Sequence, residues 1–344
     1  MATVKILSID GGGIRGIVPA LLLQRLEGDL GTPCSDVFDY IIGTSTGGIL
    51  ALALAKPEGN TKRPQFSATD LVNFYEDDGP RIFGEKTGIV LPWSRPRYNV
   101  SPLQQVLLER FGDSALKDLL GNVAVTAYDM TARAPKIFRS WVAREIPGEN
   151  FLNRDVARST SAAPTYFSPA YIQDIQKQTH YHLVDGGVFA NNPCARGLVE
   201  AIEHQRLSKN QSQTSDDSTS IWAKAIRDTQ FVVVALGTGS LKRRYDHRET
   251  RQWGLMRWAR PLLDIVFDGI SDNVDEQMNA ILCPELGLGR IFRFQGELTD
   301  ASDDMDNTSP DNIRFLKNVA ATVYKENAGA YAEMLGLLKD RNAN

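Results

Sequence analysis

Cysteine and histidine are scarce in this chain of 344 residues, and long apolar runs are missing. The three cysteines (Cys34, Cys194 and Cys283) lie far apart, with no Cys-x-x-Cys pair. That excludes a zinc ribbon and a disulfide framework, and a reducing, cytoplasmic setting fits lone thiols best. The longest uninterrupted apolar stretch, Ile49 to Ala55, is far short of the ~20 residues that cross a bilayer, so any contact with lipid has to be peripheral. The N-terminus has neither a charged leader nor a long apolar segment, and no signal peptide is expected. Positive charge is not in excess either. Lysine and arginine number 38 against 42 acidic residues, a net charge of −4, which gives no general attraction to a nucleic-acid polymer. The aspartates between Thr299 and Asn312 do not follow calcium-loop spacing, so neither a metal nor another cofactor is expected.

Apolar residues make up 42% of the chain, enough to bury a core without staples. Val4 to Ile9 reads as a buried strand, turned by Asp10 to Gly13. Val18, Leu21, Leu22 and Leu26 then recur at helical spacing from Ile14 onward. Phe38 to Ile42 is a second buried strand, followed by a turn at Gly43 to Gly47 and a helix from Gly48 to Ala55. Further strands are predicted at Val123 to Ala127, Lys136 to Ser140, Tyr181 to Val184, Phe231 to Leu236 and Ile291 to Phe294. Helices are predicted at Pro102 to Phe111, Cys194 to Leu207 and Asn312 to Leu338. This alternation argues for an α/β fold with a mostly parallel central sheet flanked by helices. Ser208 to Ser220 has no apolar residue and reads as a surface loop. Ser309-Pro310 reads as an N-cap with proline at the first helical position. One domain is expected over residues 1–344, with the motifs in 5–240 and a further helical and strand-bearing part in 241–340.

The sharpest motif is Gly43-Thr44-Ser45-Thr46-Gly47, between an apolar strand and a helix. A serine on so tight a turn exposes its hydroxyl, and the helix N-terminus behind it favours a developing negative charge. The bland alternative is a glycine turn that only packs helix on strand. Asp10-Gly11-Gly12-Gly13-Ile14-Arg15-Gly16 is ambiguous alone. Gly11, Gly13 and Gly16 satisfy the Gly-x-Gly-x-x-Gly fingerprint of a dinucleotide-binding oxidoreductase. The acid that should follow the second strand is missing, however, and Thr44-Ser45 stands in its place. The other reading is a loop of bare amides for the oxyanion of acyl transfer, and the serine turn favours it.

Asp185-Gly186-Gly187 follows the strand Tyr181 to Val184, and by itself an Asp-Gly pair is most simply a turn. The shortage of other bases raises its standing. His180 and His182 alternate along that strand, His204 lies in a polar helix and His247 in a charged run; none sits on a glycine-rich loop. A carboxylate that takes the serine proton directly fits better than a histidine-centred triad.

Together, the Asp10–Gly16, Gly43–Gly48 and Asp185–Gly187 blocks resemble the signature blocks of the patatin-like phospholipases, in that family's order and at similar separations. Softer similarity runs through Ser159 to Phe167, Asn191-Asn192-Pro193 and Leu236-Gly237-Thr238-Gly239. The resemblance implies a three-layer patatin-like fold and a lipid acyl hydrolase of phospholipase A or lysophospholipase type. Ser45 would be the nucleophile on a turn shaped by Gly43 and Gly47, and Asp185 the base. Gly11, Gly12 and Gly13 would form the oxyanion hole, with Arg15 adjoining. The substrate would be a phospholipid or other acyl lipid met peripherally at a membrane. A general esterase or thioesterase is the nearest rival, and a non-catalytic lipid-binding or partner-binding module a more distant one.

Lys242 to Arg260 carries seven basic and two acidic residues, with Trp253, Leu255, Met256 and Trp258 interleaved. Such a segment could bind anionic headgroups at an interface or an anionic regulator. Some bacterial patatin-like phospholipases are switched on by cyclic nucleotides in antiviral defence, so the resemblance extends a cyclic-nucleotide activator to this stretch. The bland reading is a helix with core tryptophans and solvated arginines.

Overall fold

Along β1 (Ala2–Ile9) the side chains alternate between two buried clusters, Val4 and Ile6 facing one and Leu7 and Ile9 the other. A strand covered on both faces must be apolar almost throughout, which is why β1 reads as a continuous run. The computed structural model describes residues 2–84, 86, 95–210, 229–240 and 245–340. Within them β1 pairs in parallel with β2 (Tyr40–Thr44) on one edge and β7 (Thr229–Leu236) on the other. β8 (Gly289–Phe294) joins β7, and β3 (Asn122–Asp129) joins β2, both in parallel. β4 (Ala134–Arg139), β5 (Ala170–Gln173) and β6 (His180–Asp185) are antiparallel additions at the far end.

The sheet of eight strands is therefore mixed, parallel from β8 through β3 and antiparallel beyond. Helices α1 (Ile17–Leu30), α2 (Thr46–Leu54), α4 (Ser101–Phe111) and α5 (Asn153–Thr160) cover one face; α3 (Ala68–Asn73) packs beside α1. On the other face lie α6 (Cys194–Asn210) and α7 (Leu255–Ile281), contributing Leu198 and Met278. Helix, sheet and helix make the three layers the sequence implied. The chain leaves β1 for β2 on one side and later fills β7 on the other, so the carboxyl end of β1 is a topological switch point, where open α/β sheets place their ligands.

Several elements differ from expectation. β5 was not foreseen: four residues on a sheet edge, alternately buried and exposed, carry little signal. α7 contains Pro261, which in sequence reads as a helix break. The helix expected over Asn312 to Leu338 is two, α8 (Pro310–Glu326) and α9 (Ala328–Lys339), separated at Asn327, whose side-chain amide donates to the Val323 carbonyl at 2.9 Å. Ser309 caps α8 as read, accepting from the Asn312 amide. Of the Ser208 to Ser220 loop, 208–210 end α6 and the rest lies outside the described residues, as do 242–244 of the basic stretch.

Candidate active site

Ser45 sits between β2 and α2 with φ 55° and ψ −123°, a left-handed conformation that a side-chain-bearing residue adopts only under constraint. The constraint is visible. A β-carbon on Gly43 would lie 2.1 Å from the Gly47 carbonyl oxygen, and one on Gly47 would lie 2.2 Å from that of Ile9. Only glycine lets strand, turn and helix approach so closely. The Ser45 amide donates to Thr160 Oγ1 at 2.8 Å, which pins the turn to the end of α5.

Asp185 reaches the serine through strand pairing. β4 lines one edge of β3 from Ala124 to Asp129. A strand has only two edges, so β2 and β6 must share the other, and they do so end to end. β2 pairs as far as Thr44 with Thr126, and β6 runs the opposite way and finishes at Asp185 against Ala127. The two strands converge on adjacent positions of β3, and their last residues deliver Ser45 and Asp185 to one point. Ser45 Oγ donates to Asp185 Oδ2 at 2.6 Å, and the Gly187 amide donates to Oδ1 at 2.8 Å. The Asp185 amide is held by the Ala162 carbonyl at 3.1 Å, so residues 160–162 grip both partners. Burial raises the pKa of Asp185 to about 7, against the lowering influence of those two hydrogen bonds.

The glycine loop after β1 divides the expected oxyanion group. The Gly11 amide donates to the Asn191 carbonyl at 3.0 Å and the Arg15 amide to the Gly12 carbonyl at 3.2 Å, so neither N–H is available to a substrate. The Arg15 guanidinium reaches the carbonyls of Gly12 and Gly239 and lines a neighbouring polar cavity rather than the cleft at Ser45. Gly11 and Arg15 thus hold the loop in place. The amides of Gly12 and Gly13 donate to no other described residue, and both line the cleft beside Ser45. Thr238 Oγ1, after β7, donates to the Gly11 carbonyl at 2.8 Å and fixes the loop from the other side.

That cleft, open at its mouth, runs from Ser45 and Asp185 between walls that include Ile49, Leu103, Val106 and Phe167. Its apolar lining suits a hydrocarbon chain rather than the phosphates of a dinucleotide. A π-helical turn at Phe74–Asp78 contributes Phe74 and Tyr75 to the wall, and the Tyr75 hydroxyl contacts Thr46 Oγ1 at 2.6 Å, one residue past the serine.

Beneath the loop lies a charged layer that sequence reading did not find. Arg293 of β8 donates to Asp10 Oδ2 at 2.6 Å and to Asp275 Oδ2 at 3.1 Å; Asp275 Oδ1 accepts from Asn192 Nδ2 at 2.7 Å. One guanidinium therefore ties Asp10, which opens the glycine loop, to Asn192, which neighbours the carbonyl that holds Gly11. Burial lifts the Asp10 pKa to about 6 despite Arg293, so at neutral pH it is ionised and pairs with the cation. A lone arginine in a strand carries no motif; only Asp10 hinted at the network.

The histidines lie elsewhere. His204 stacks on Trp141 with ring centroids 5.1 Å apart and shares a hydrogen bond with the Tyr40 hydroxyl; His180, His182 and His247 are exposed. Among the described residues no histidine lines the Ser45 cleft.

Comparison with known proteins identifies the family. Residues 7–196 match the family model described as patatin-like phospholipase. Patatin-like protein 1 of Oryza sativa subsp. indica is 34% identical over 362 residues, covering 97% of this chain and 86% of that protein. Patatin-like protein 3 of Arabidopsis thaliana is 35% identical over 355 residues, covering 94% and 81%. The probable inactive patatin-3-Kuras 1 of Solanum tuberosum is 32% identical over 337 residues, covering 94% of this chain and 87% of that protein.

Proposed function

The chain belongs to the patatin-like phospholipase family, and on that premise we propose that it hydrolyses acyl esters of lipids through a Ser45–Asp185 dyad. The observation that carries the proposal is the 2.6 Å hydrogen bond from Ser45 Oγ to Asp185, placed at the edge of an apolar cleft. Asp185 takes the hydroxyl proton as Ser45 Oγ attacks the ester carbonyl carbon. An ordinary aspartate is too weak a base near neutrality, and a pKa of about 7 removes that objection. The carbonyl oxygen becomes an oxyanion facing the Gly12 and Gly13 amides and the positive end of α2. The intermediate then collapses, and the leaving alcohol takes the proton from Asp185. Water attacks the acyl-serine, gives its proton to Asp185, and the fatty acid departs as that proton returns to Ser45 Oγ.

The acyl chain lies along the cleft lined by Ile49, Leu103, Val106 and Phe167, which favours long-chain substrates over a general esterase or thioesterase role. No described helix is long and apolar enough to cross a membrane, and substrate is taken from a lipid surface met peripherally. A cyclic-nucleotide switch rests on the family resemblance alone; hydrolysis rates with and without cyclic di- and trinucleotides test it. Mass spectrometry of products from a panel of phospholipids, galactolipids and neutral lipids tests the main reading. Fatty acid release by the unmutated protein and none by Ser45→Ala is the expected result. Undiminished release by Ser45→Ala would refute the dyad.

A further inference from the structure

The outer face of α7 is apolar in its N-terminal half, where a solvent-facing helix would be polar. Phe267, Ser271 and Met278 point inward and are buried. On the outer side Trp258, Leu262 and Ile265, spaced four and three residues apart on one helical face, are 37%, 51% and 41% exposed. The short helix His247–Thr250 and the turn after it extend this face with aromatic rings. Trp253 packs edge-on against both Tyr245 and Trp258, at centroid distances of 5.3 and 5.1 Å, and the Arg257 guanidinium stands over the Trp253 ring. Arg248, Arg251 and Arg257 are exposed around these rings. Asp246 is engaged as a helix cap, accepting from the Arg248 amide.

The charge is polarised along the helix. Arg257 belongs to the N-terminal half, whereas Asp268, Asp272 and Asp275 belong to the C-terminal half. The surface is also continuous with the site. The groove between Trp253, Trp258 and Arg251 shares Tyr245 and Ile265 with the polar cavity, and that cavity shares Asn191, Phe267 and Met305 with the Ser45 cleft. Phe267, two residues beyond Ile265, lies 3.3 Å from the position a β-carbon on Gly187 would take, beside Asp185.

We propose that this face, formed by Trp258 and Leu262 of α7 with Tyr245, Trp253 and the arginines around them, docks the protein onto an anionic lipid surface. The proposal rests on the lipid hydrolase reading above and supplies the surface by which substrate is reached. Charge complementarity selects the occupant. Tryptophan, tyrosine and arginine together match the boundary between headgroups and acyl chains, where an apolar body and a polar or charged tip are both accommodated. Arg248, Arg251 and Arg257, exposed around the rings, outnumber Asp246 and Glu249 there, which directs the face to negative headgroups in a chain that is acidic overall. Docked this way, the groove at Tyr245 and Ile265 meets the bilayer, and a lipid passes along the cavity edge into the cleft.

The test uses the full chain carrying Ser45→Ala, so that vesicles survive, with co-sedimentation and tryptophan fluorescence as readouts. Vesicles are phosphatidylglycerol mixed with phosphatidylcholine, or phosphatidylcholine alone. Binding to the anionic vesicles with a blue-shifted emission is expected. Trp258→Ser with Leu262→Ser lowers the partition coefficient by roughly tenfold to a hundredfold, given the apolar surface removed. Arg248→Gln, Arg251→Gln and Arg257→Gln together abolish the preference for anionic vesicles. In the active background the Trp258→Ser/Leu262→Ser variant hydrolyses a soluble short-chain ester at the unmutated rate, which shows that it is folded. Failure of the Ser45→Ala chain to bind, or equal binding by the Trp258→Ser/Leu262→Ser variant, overturns the proposal. So does sedimentation velocity showing a dimer, without vesicle binding, that this variant dissociates, because the face then belongs to a second copy. Absence of turnover on every ester would instead remove the hydrolase reading and leave the docking result standing.

Discussion

Replacing Asp185 by asparagine should abolish turnover and, above neutral pH, make the protein more stable. Asp185 is 2% exposed, and its pKa stands at about 7 against 3.8 for a free aspartate. A carboxyl whose pKa is raised on folding binds its proton more tightly in the native state. Its contribution to stability is therefore greatest below pH 3.8, declines as pH rises, and levels off above about 7. At 1.36 kcal/mol per pH unit the full decline is roughly 4 kcal/mol, of which roughly 3 falls between pH 5 and pH 8. Asparagine does not titrate, so Asp185→Asn avoids the decline. The amide has one acceptor oxygen where the carboxylate uses two, for Ser45 and for Gly187, and loss of one bond costs about 1 kcal/mol at every pH. The diagnostic quantity is thus the change in the stability difference with pH. Urea denaturation of both proteins at pH 5 and pH 8 measures it, and the variant should gain on the unmutated protein by roughly 3 kcal/mol across that interval. A difference that does not vary with pH would refute the assignment of a raised pKa to Asp185, and with it the account of how an aspartate serves as base near neutrality. The same group should give kcat/KM for a soluble ester an acid limb with a midpoint of about 7.

Two further perturbations address the glycine loop. A β-carbon on Gly12 would lie 2.3 Å from Thr238 Oγ1, so Gly12→Ala displaces an amide donor, and kcat should fall by roughly a hundredfold to a thousandfold while KM changes little; a kcat within a fewfold of the unmutated value would remove Gly12 from the oxyanion hole. Arg293→Met leaves the buried Asp10 carboxylate without its cation and should cost about 3–5 kcal/mol in urea denaturation, and adding Asp10→Asn should restore most of it; no recovery in the double variant would show that Asp10 is not where the lost stability resides.

Much of this molecule was legible locally. β1, the turn at Ser45 and the helix after it follow from apolar runs broken by glycine, because a sharp strand-to-helix turn tolerates few other residues. β5 and α7 escaped because a short edge strand carries little pattern and an internal proline mimics a stop. The acidic loop before α8 carries no motif, yet its Met305 carbonyl accepts the Ile14 amide and so helps to seat the glycine loop.

The local chemistry of each motif was therefore settled by the order of residues: a strained serine turn, a loop rich in bare amides, an aspartate at a strand end. Tertiary structure alone decided what these become together. Strand pairing brings β2 and β6 nose to nose along one edge of β3, and that places a hydroxyl against a carboxylate 140 positions away. It also sorts the amides, committing Gly11 to Asn191 and leaving Gly12 and Gly13 open, and it brings Arg293 from the other end of the chain to brace them. Hydrogen bonding between distant segments has no period and no spacing to read. It exists only once the sheet has formed and the buried polar groups have found partners.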